Sequence, residues 1–501
     1  MTNILWAAIL LQMAMGAFDT VYHHEGTERL AWRPDQQHEL RLHGVRNLAY
    51  AVLFAMLGWT QPHGAWAAGL IALMAGELLI TLWDFVEEDR TRKLPATERV
   101  THTLLTLNYG VVLALLVPWL LELAGQPTAL VRARYGIISW LCAIAAVGVV
   151  ISGLRDLAAA RRCPNLRRER PARLAEALKG RKAILVTGGT GFIGARLVAA
   201  LVGAGHDVTV LTRNRGKALR LAETGPVRVI TSLGEIEDEA RIDAIVNLAG
   251  EPISDSPWTK AKRIRIIRSR LAVTHDVLRL IRRLDHRPEV LISGSAIGWY
   301  GLRGDQMLTE DNLGTPCFSR RVCVAWERAA RKGEALGVRT VLLRTGLVLD
   351  NDGGMLARIL APFEFGLGGP FGTGRHWMSW IHRDDLVRMI IHCIAETEVN
   401  GPVNGTAPEP VTNCDFAKAL GRALHRPAII PVPAWPLRKL LGGFAEELLL
   451  SGQRVNPEAA LRSGFSFQYE TIEEALGAIT GRRLANTILK TPLLVPQGAG
   501  Q

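Results

Sequence analysis

The chain has 501 residues, enough for about three domains of ordinary size. It is 48% hydrophobic and 21% charged, with net charge +12 and mean hydropathy +0.14. These values exclude a disordered chain and are oily for an enzyme made only of water-exposed domains. Six cysteines without any C-x-x-C exclude a disulfide scaffold or a cysteine-rich zinc site, and read as free thiols in a reducing compartment. The basic balance would suit nucleic acid, but no aromatic-plus-basic module accompanies it, so no nucleic-acid partner is expected.

In chain order, apolar stretches near 3–22, 44–60, 64–86, 101–124 and 135–154 are each long enough to span a bilayer. Residues 1–155 are therefore expected to form a helical transmembrane domain of about five spans, with lipid as its surroundings. The first stretch is no ordinary signal peptide, because Arg29 is the first basic residue and no small-residue cleavage pattern follows. Basic residues crowd the 23–43 and 87–100 loops and the run after Leu154, and are absent from 61–63. The positive-inside rule then places the N-terminus outside an inner or cytoplasmic membrane and the C-terminal two-thirds in the cytoplasm. Residues 156–181 read as a basic juxtamembrane linker that attracts anionic head groups.

Three acid–histidine pairs at i,i+4 mark this domain: Asp19 with His23, Glu39 with His43, and Glu98 with His102. Asp84, Glu87 and Glu88 close the third span, and the topology brings all these ends to one membrane boundary. His23, Glu39, His43, Glu98 and His102 are thus candidate metal ligands, since carboxylates and imidazoles inside a helix bundle are a di-iron type of donor set. The other reading is a set of interfacial polar groups paired with loop arginines. Glu77, inside the third span, is expected to have a partner because a buried acid there is costly.

From Lys182 onward, short β-branched runs alternate with helical patterns. Ala183–Thr187 reads as a buried strand, 188–194 (G-G-T-G-F-I-G) as a glycine turn, 195–204 as a helix and Asp207–Leu211 as a second strand. Strand, glycine turn and helix in one unit is the context of a dinucleotide fold. Gly188 serves the tight turn, Gly191 lets backbone N–H groups approach a pyrophosphate, and Gly194 lets helix and strand pack closely. The N-terminus of the helix, at Phe192 and Ile193 with Thr190 ahead of them, stabilises phosphate charge. At the end of the second strand, Arg213 stands where an NAD site wants an acid, which points to the 2′-phosphate of NADP over NAD. A solvated arginine is the alternative. Leu248, Ala249 and Gly250 follow a third strand, and Ser293 and Ser295 a fourth, where ligand groups gather in such sheets. The expected fold is a doubly wound parallel α/β sheet over 182–400. A small lobe is expected at 401–483 and a loose tail at 484–501.

Residues 183–480 resemble the atypical short-chain dehydrogenase/reductases of the epimerase/dehydratase-like group. The matching pieces are T-G-G-T-G-F-I-G at 187–194, N-L-A-G at 247–250, G-S-A-I-G-W-Y-G at 294–301, W-E at 326–327 and W-I-H-R-D-D-L at 380–386. A-P-E-P-V-T-N at 407–413 and G-F-S-F at 464–467 resemble the small C-terminal domain of that group. The resemblance implies a Rossmann domain with a substrate lobe and a nicotinamide cofactor. Ordinary members use Ser, Tyr and Lys; Ser295 matches the serine, but Ser319 and Cys323 fall where the Tyr-x-x-x-Lys pair would lie. Tyr300 is the nearby phenol that could exchange a proton in their place. Trp258, Lys260, Lys262, Ser269, Arg270, Arg344 and Thr345 are further polar or loop candidates. The expected function is a membrane-anchored NADP(H)-binding oxidoreductase or epimerase-like enzyme acting on a small molecule. A non-catalytic NADP(H) sensor or scaffold is the rival, supported by the missing pair.

Overall fold

Long apolar runs become long helices in the computed structural model, which describes residues 2–92, 94–166, 169–222 and 225–482. Two units divide the chain, Met1–Arg167 and Arg168–Gln501. The first contains α1 (Asn3–Phe18), α2 (Gln37–Trp59), α3 (Ala65–Thr91), α4 (Ala96–Ala124) and α5 (Ile137–Arg162). Thr2 caps α1, its Oγ1 accepting from the Leu5 amide. Four segments, Asn3–Trp32, Ala65–Thr91, Ala96–Ala124 and Ile137–Asn165, are long and apolar enough to cross a membrane. The α2 helix does not join them, because its first half carries His38, Glu39, Arg41, His43, Arg46 and Asn47.

Leu5, Trp6, Phe54, Leu57, Leu70, Met74, Leu116, Leu120 and Cys142 make the core of this unit. Gly44 and Gly153 let α2 and α5 touch; a Cβ on Gly153 would lie 2.9 Å from the Gly44 carbonyl oxygen. Short strands β1 (Thr60–His63) and β2 (Ala129–Arg132) pair antiparallel. Between α1 and α2 the chain winds as a π-helix over Asp19–Glu28. The α5 helix continues to Arg162, so the expected linker begins inside a helix.

The second unit is built on a seven-stranded, wholly parallel sheet. Its strands are β3 (Ala183–Thr187), β4 (Asp207–Leu211), β5 (Val227–Ile230), β6 (Ala244–Asn247), β7 (Val290–Ala296), β8 (Arg339–Thr345) and β9 (Gly401–Gly405). Their spatial order is β9-β8-β7-β6-β3-β4-β5. The order reverses between β3 and β6, which opens a crevice at the strand C-termini. Helix α6 (Phe192–Gly203) follows β3; α7 (Lys260–Arg283), α8 (Phe318–Ala330) and α9 (Arg383–Ala395) connect later strands.

Two expected boundaries move. Leu174, Ala175 and Leu178, placed by sequence in the linker, are buried against Leu197 and Leu201 of α6 and belong to the sheet's core. Residues Gly401–Gly405, assigned to the lobe, form the seventh strand. Their Gly/Pro-rich text hides a strand, and Pro402 is tolerated because β9 lies at the sheet edge. The lobe also returns to the sheet core through Ala460 and Phe465. The expected tail, 484–501, lies outside the described residues.

Candidate functional site

The crevice at the switch point is lined by two loops in close contact. Gly188 adopts φ +71°, and a Cβ there would meet the Ala249 amide nitrogen at 2.9 Å. Only glycine allows both the left-handed conformation and that approach. Thr187 bolts the loops together: its Oγ1 donates to Asn247 Oδ1 (2.7 Å) and accepts from the Ala249 amide (3.2 Å). Asn247 in turn donates to Thr274 on α7 at 3.0 Å. Gly191 caps α6 and is exposed, with Thr190 and Ile193 partly exposed beside it. The Gly191 amide donates back to the Gly188 carbonyl at 3.0 Å. A Cβ on Gly194 would sit 2.2 Å from that same carbonyl oxygen, so helix and loop are pressed together as their spacing predicts. The first-turn amides of α6 then face the crevice mouth without intrahelical acceptors. Phe192 packs under Gly353 and Gly354, with the Arg383 guanidinium 5.0 Å over its ring. Arg213 is exposed directly after β4.

At the ends of β7 and β8 the polar side chains form one buried network. Ser295 Oγ donates to Glu327 Oε1 at 2.7 Å. Glu327 receives Arg344 through two hydrogen bonds of 3.0 and 3.1 Å. Arg344 also donates to the Glu310 carbonyl and to the Tyr300 hydroxyl, at 3.0 and 3.2 Å, and its guanidinium lies 4.2 Å over the Trp299 ring. The Tyr300 hydroxyl donates to Asn404 Oδ1 on β9 at 2.7 Å. Tyr300 is fully buried, and burial pushes its phenol up to about 12.

The proton-exchange role expected of Tyr300 is therefore corrected. Its hydroxyl is spent in a structural network that ties β9 to β8, and no open face is left to a substrate. Ser293 is buried beside Ser295.

The sites of the missing pair are also filled. Glu447 of the C-terminal lobe accepts from the Phe318 and Ser319 amides (3.0 and 2.9 Å) and from Ser319 Oγ (2.7 Å), capping α8. Cys323 is buried, and burial raises its thiol to about 12.

The remaining candidates divide by partner. Lys262 is buried between Glu251 and Asp255, at 2.9 and 2.7 Å, so it fixes the loop after Gly250 instead of reaching over the crevice. Trp258 packs on Phe318 and Phe444. Ser269 Oγ accepts from the Glu251 amide at 2.9 Å. Arg270, half-buried beside Gly250 and 5.0 Å over Trp326, donates to the Glu251 and Ile266 carbonyls. Burial lowers its pKa, with the nearby Glu251 carboxylate acting in the opposite direction.

The acidic motif at 384–385 proves structural. Asp384 pairs with Arg196 of α6 at 2.7 Å, Asp385 accepts the Gln468 and Tyr469 amides at 2.9 Å, and His382 is the cap of α9. Sequence reading missed Glu310, Glu327 and Glu447 as organisers; only the last letters of W-E hinted at one of them.

In the N-terminal unit the expected acid–histidine groups do converge, with partners the i,i+4 pattern did not show. Arg92 takes Glu39 and Glu98, at 2.9 and 2.7 Å, with Glu88 at 3.5 Å. Glu39 and Glu98 thus pair with an arginine, while each also lies in a cluster of donor atoms within 4.8 Å of one another, Glu39 with His43 and Glu88, and Glu98 with Glu88 and His102. His43 Nε2 faces Asp84 at 2.9 Å, a carboxylate that also receives Arg46 at 2.8 Å. His23 Nδ1 bonds Asp19 Oδ1 at 2.9 Å. Glu77 accepts from Thr81 at 2.7 Å.

A family model described as the NAD dependent epimerase/dehydratase family matches residues 184–404, and a domain of unknown function, DUF1731, matches 432–479. An epimerase family protein of Mycobacterium tuberculosis is 39% identical over 301 residues, covering 60% of this chain and 98% of the relative. The chloroplastic homolog of epimerase family protein SDR39U1 from Arabidopsis thaliana is 40% identical over 301 residues, covering 59% of this chain and 86% of the relative. The crystal structure of human epimerase family protein SDR39U1 with NADPH is 32% identical, with a TM-score of 0.54, covering 60% of this chain and 99% of that one. Motifs, sheet order and relatives agree, and the chain belongs to the NAD-dependent epimerase/dehydratase family.

Proposed function

We propose that this protein is a membrane-anchored, NADP(H)-binding oxidoreductase or epimerase-like enzyme acting on a small molecule. The observation that carries the nucleotide reading is the glycine turn itself, where Gly188 meets the Leu248–Ala249 backbone and Gly191 and Gly194 meet Gly188, so that an added Cβ at Gly188 or Gly194 would clash with backbone. Bound there, the nicotinamide would supply hydride transfer. The α6 amides hold the diphosphate, Arg213 receives the 2′-phosphate, and Ser295, buried with its Oγ donating to Glu327, stands at the family's serine position at the end of β7. Arg270 offers positive charge beside Gly250 to an anionic part of the ligand. Human SDR39U1, solved with NADPH, supports the choice of cofactor.

The exposed faces of the long helices support the anchoring. Leu79, Trp83, Leu107 and Ile144 are each more than 60% exposed, the inverse of a helix bundle facing water. The positive-inside pattern supports an outward N-terminus and a cytoplasmic sheet domain at the inner or cytoplasmic membrane.

Binding of NADPH and NADH to the full chain in detergent tests the reading. Wild type should prefer NADPH, and Arg213→Ala should weaken NADPH alone by roughly tenfold or more, the worth of a charge-assisted hydrogen bond. Tighter NADH binding by wild type defeats the NADP assignment. A sensor without turnover is the second reading, favoured by Ser319 and Cys323 being locked into structure. Turnover of NADPH with carbonyl compounds, abolished by Ser295→Ala, decides for the enzyme; tight binding without turnover decides for the sensor.

A further inference from the structure

We propose that Asp19, His24 and His102 form a binding site for a divalent first-row transition metal ion in the N-terminal unit. One donor atom from each lies within 4.8 Å of the others. The Nε2 atoms of His24 and His102 both lie 3.3 Å from Asp19 Oδ2. Two imidazole nitrogens and one carboxylate oxygen are a donor set for iron(II), manganese or zinc. Magnesium and calcium prefer oxygen-only shells, so two imidazoles argue against them.

The backbone explains why His24 takes part. In an α-helix His23 would share the face of Asp19 and His24 would turn away. Over Asp19–Glu28 the chain is a π-helix, whose i→i+5 winding carries His24 round to Asp19 as well. Ten residues of this rare winding, between α1 and α2, carry two of the three ligands, and His102 comes from α4. His23, bonded to Asp19 Oδ1, then orients the carboxylate from behind. Glu88 Oε2 faces His102 Nδ1 at 3.4 Å, the carboxylate–imidazole arrangement that fixes a metal-bound histidine.

An unmet polar atom points to the same centre. His24 is buried, and its Nε2, 3.3 Å from Asp19 Oδ2, makes no hydrogen bond. Glu39, Asp84, Glu88 and Glu98 face the guanidinium groups of Arg46 and Arg92, whereas Asp19 faces His23, His24 and His102. A divalent cation at Asp19 would give His24 Nε2 the partner it lacks and would hold His102 through the Nε2 that faces the same carboxylate.

The test is metal analysis of the full chain purified in detergent, followed by chelation and titration with Co²⁺ alone. Wild type should hold about one transition metal ion per chain, and Co²⁺ should restore it with visible ligand-field bands. His24→Gln and His102→Gln should lose both metal and bands, while His38→Gln, at an exposed histidine of the same unit, should keep them. Helix content by far-UV dichroism and NADPH binding report folding of every variant. A folded wild-type chain that takes up no stoichiometric Co²⁺ overturns the proposal. Full retention of the ion by both His24→Gln and His102→Gln overturns it too.

Discussion

Gly194→Ala probes the contact on which the nucleotide seat depends. The new methyl group would lie 2.2 Å from the Gly188 carbonyl oxygen, 2.8 Å from Gly189 Cα and 2.9 Å from the Gly188 carbonyl carbon. All three are backbone atoms, so no side chain can swing aside. Either α6 retreats from β3 or the 188–191 turn opens and loses its 3.0 Å hydrogen bond. Overpacking of this kind costs about 1–3 kcal/mol. If that cost falls on the bound geometry, NADPH affinity drops by roughly 5- to 150-fold. Fluorescence titration with NADPH gives the affinity, and thermal unfolding of the same sample gives the stability.

Gly191→Ala is the companion variant. Its φ is −84°, and its Cβ would lie 3.2 Å from the Gly188 oxygen, so the free protein should tolerate it. The methyl would point into the space reserved for the diphosphate, and NADPH binding should fall with little change in unfolding temperature. Wild-type NADPH affinity and stability in Gly194→Ala would refute the steric reasoning, and with it the place given to the cofactor.

Glu327→Ala should destabilise the protein by about 3–5 kcal/mol, because it leaves Arg344 buried and unpaired. Replacing both residues by Met should cost less, and equal losses in chemical denaturation would contradict the ion-pair account. Tyr300→Phe should cost about 1–2 kcal/mol through the stranded Asn404 and Arg344 groups while NADPH affinity stays unchanged. The Tyr300 phenol titrates near 12 when folded, above its ordinary value of about 10. The native state keeps that proton while the unfolded chain releases it, so this contribution is intact below about pH 10 and is lost as pH rises toward 12. Wild type should show that alkaline loss in urea titrations and Tyr300→Phe should lack it. Glu447→Ala removes three hydrogen bonds at the start of α8 and should cost about 1–3 kcal/mol, read as faster limited proteolysis of the C-terminal lobe. Unchanged proteolysis would mean that the lobe is held elsewhere.

Local chemistry made much of this protein legible from its letters. Buried β-branched runs announce the parallel strands, and a glycine is needed where backbone meets backbone, so β3, the 188–194 turn and α6 could be read directly. Long apolar stretches announce the helices for the same reason, since an uninterrupted run must be helical to satisfy its own backbone.

Distance in sequence hid the rest. Gly401–Gly405 reads as a turn and becomes a strand only because β8 offers it an edge. Tyr300 reads as a free phenol until Asn404 and Arg344 close on it. Ser319 is claimed by Glu447 from another part of the chain, and Glu39 by Arg92 from another helix. His24 reaches Asp19 through a winding that no i,i+4 pattern foresees. A residue's neighbours along the chain fix its backbone preference, whereas its charge and hydrogen bonds are settled by whichever distant groups are buried with it. The parallel sheet and its glycine turn were accordingly written in the sequence, and the assignment of partners to its polar side chains was made only by the tertiary structure.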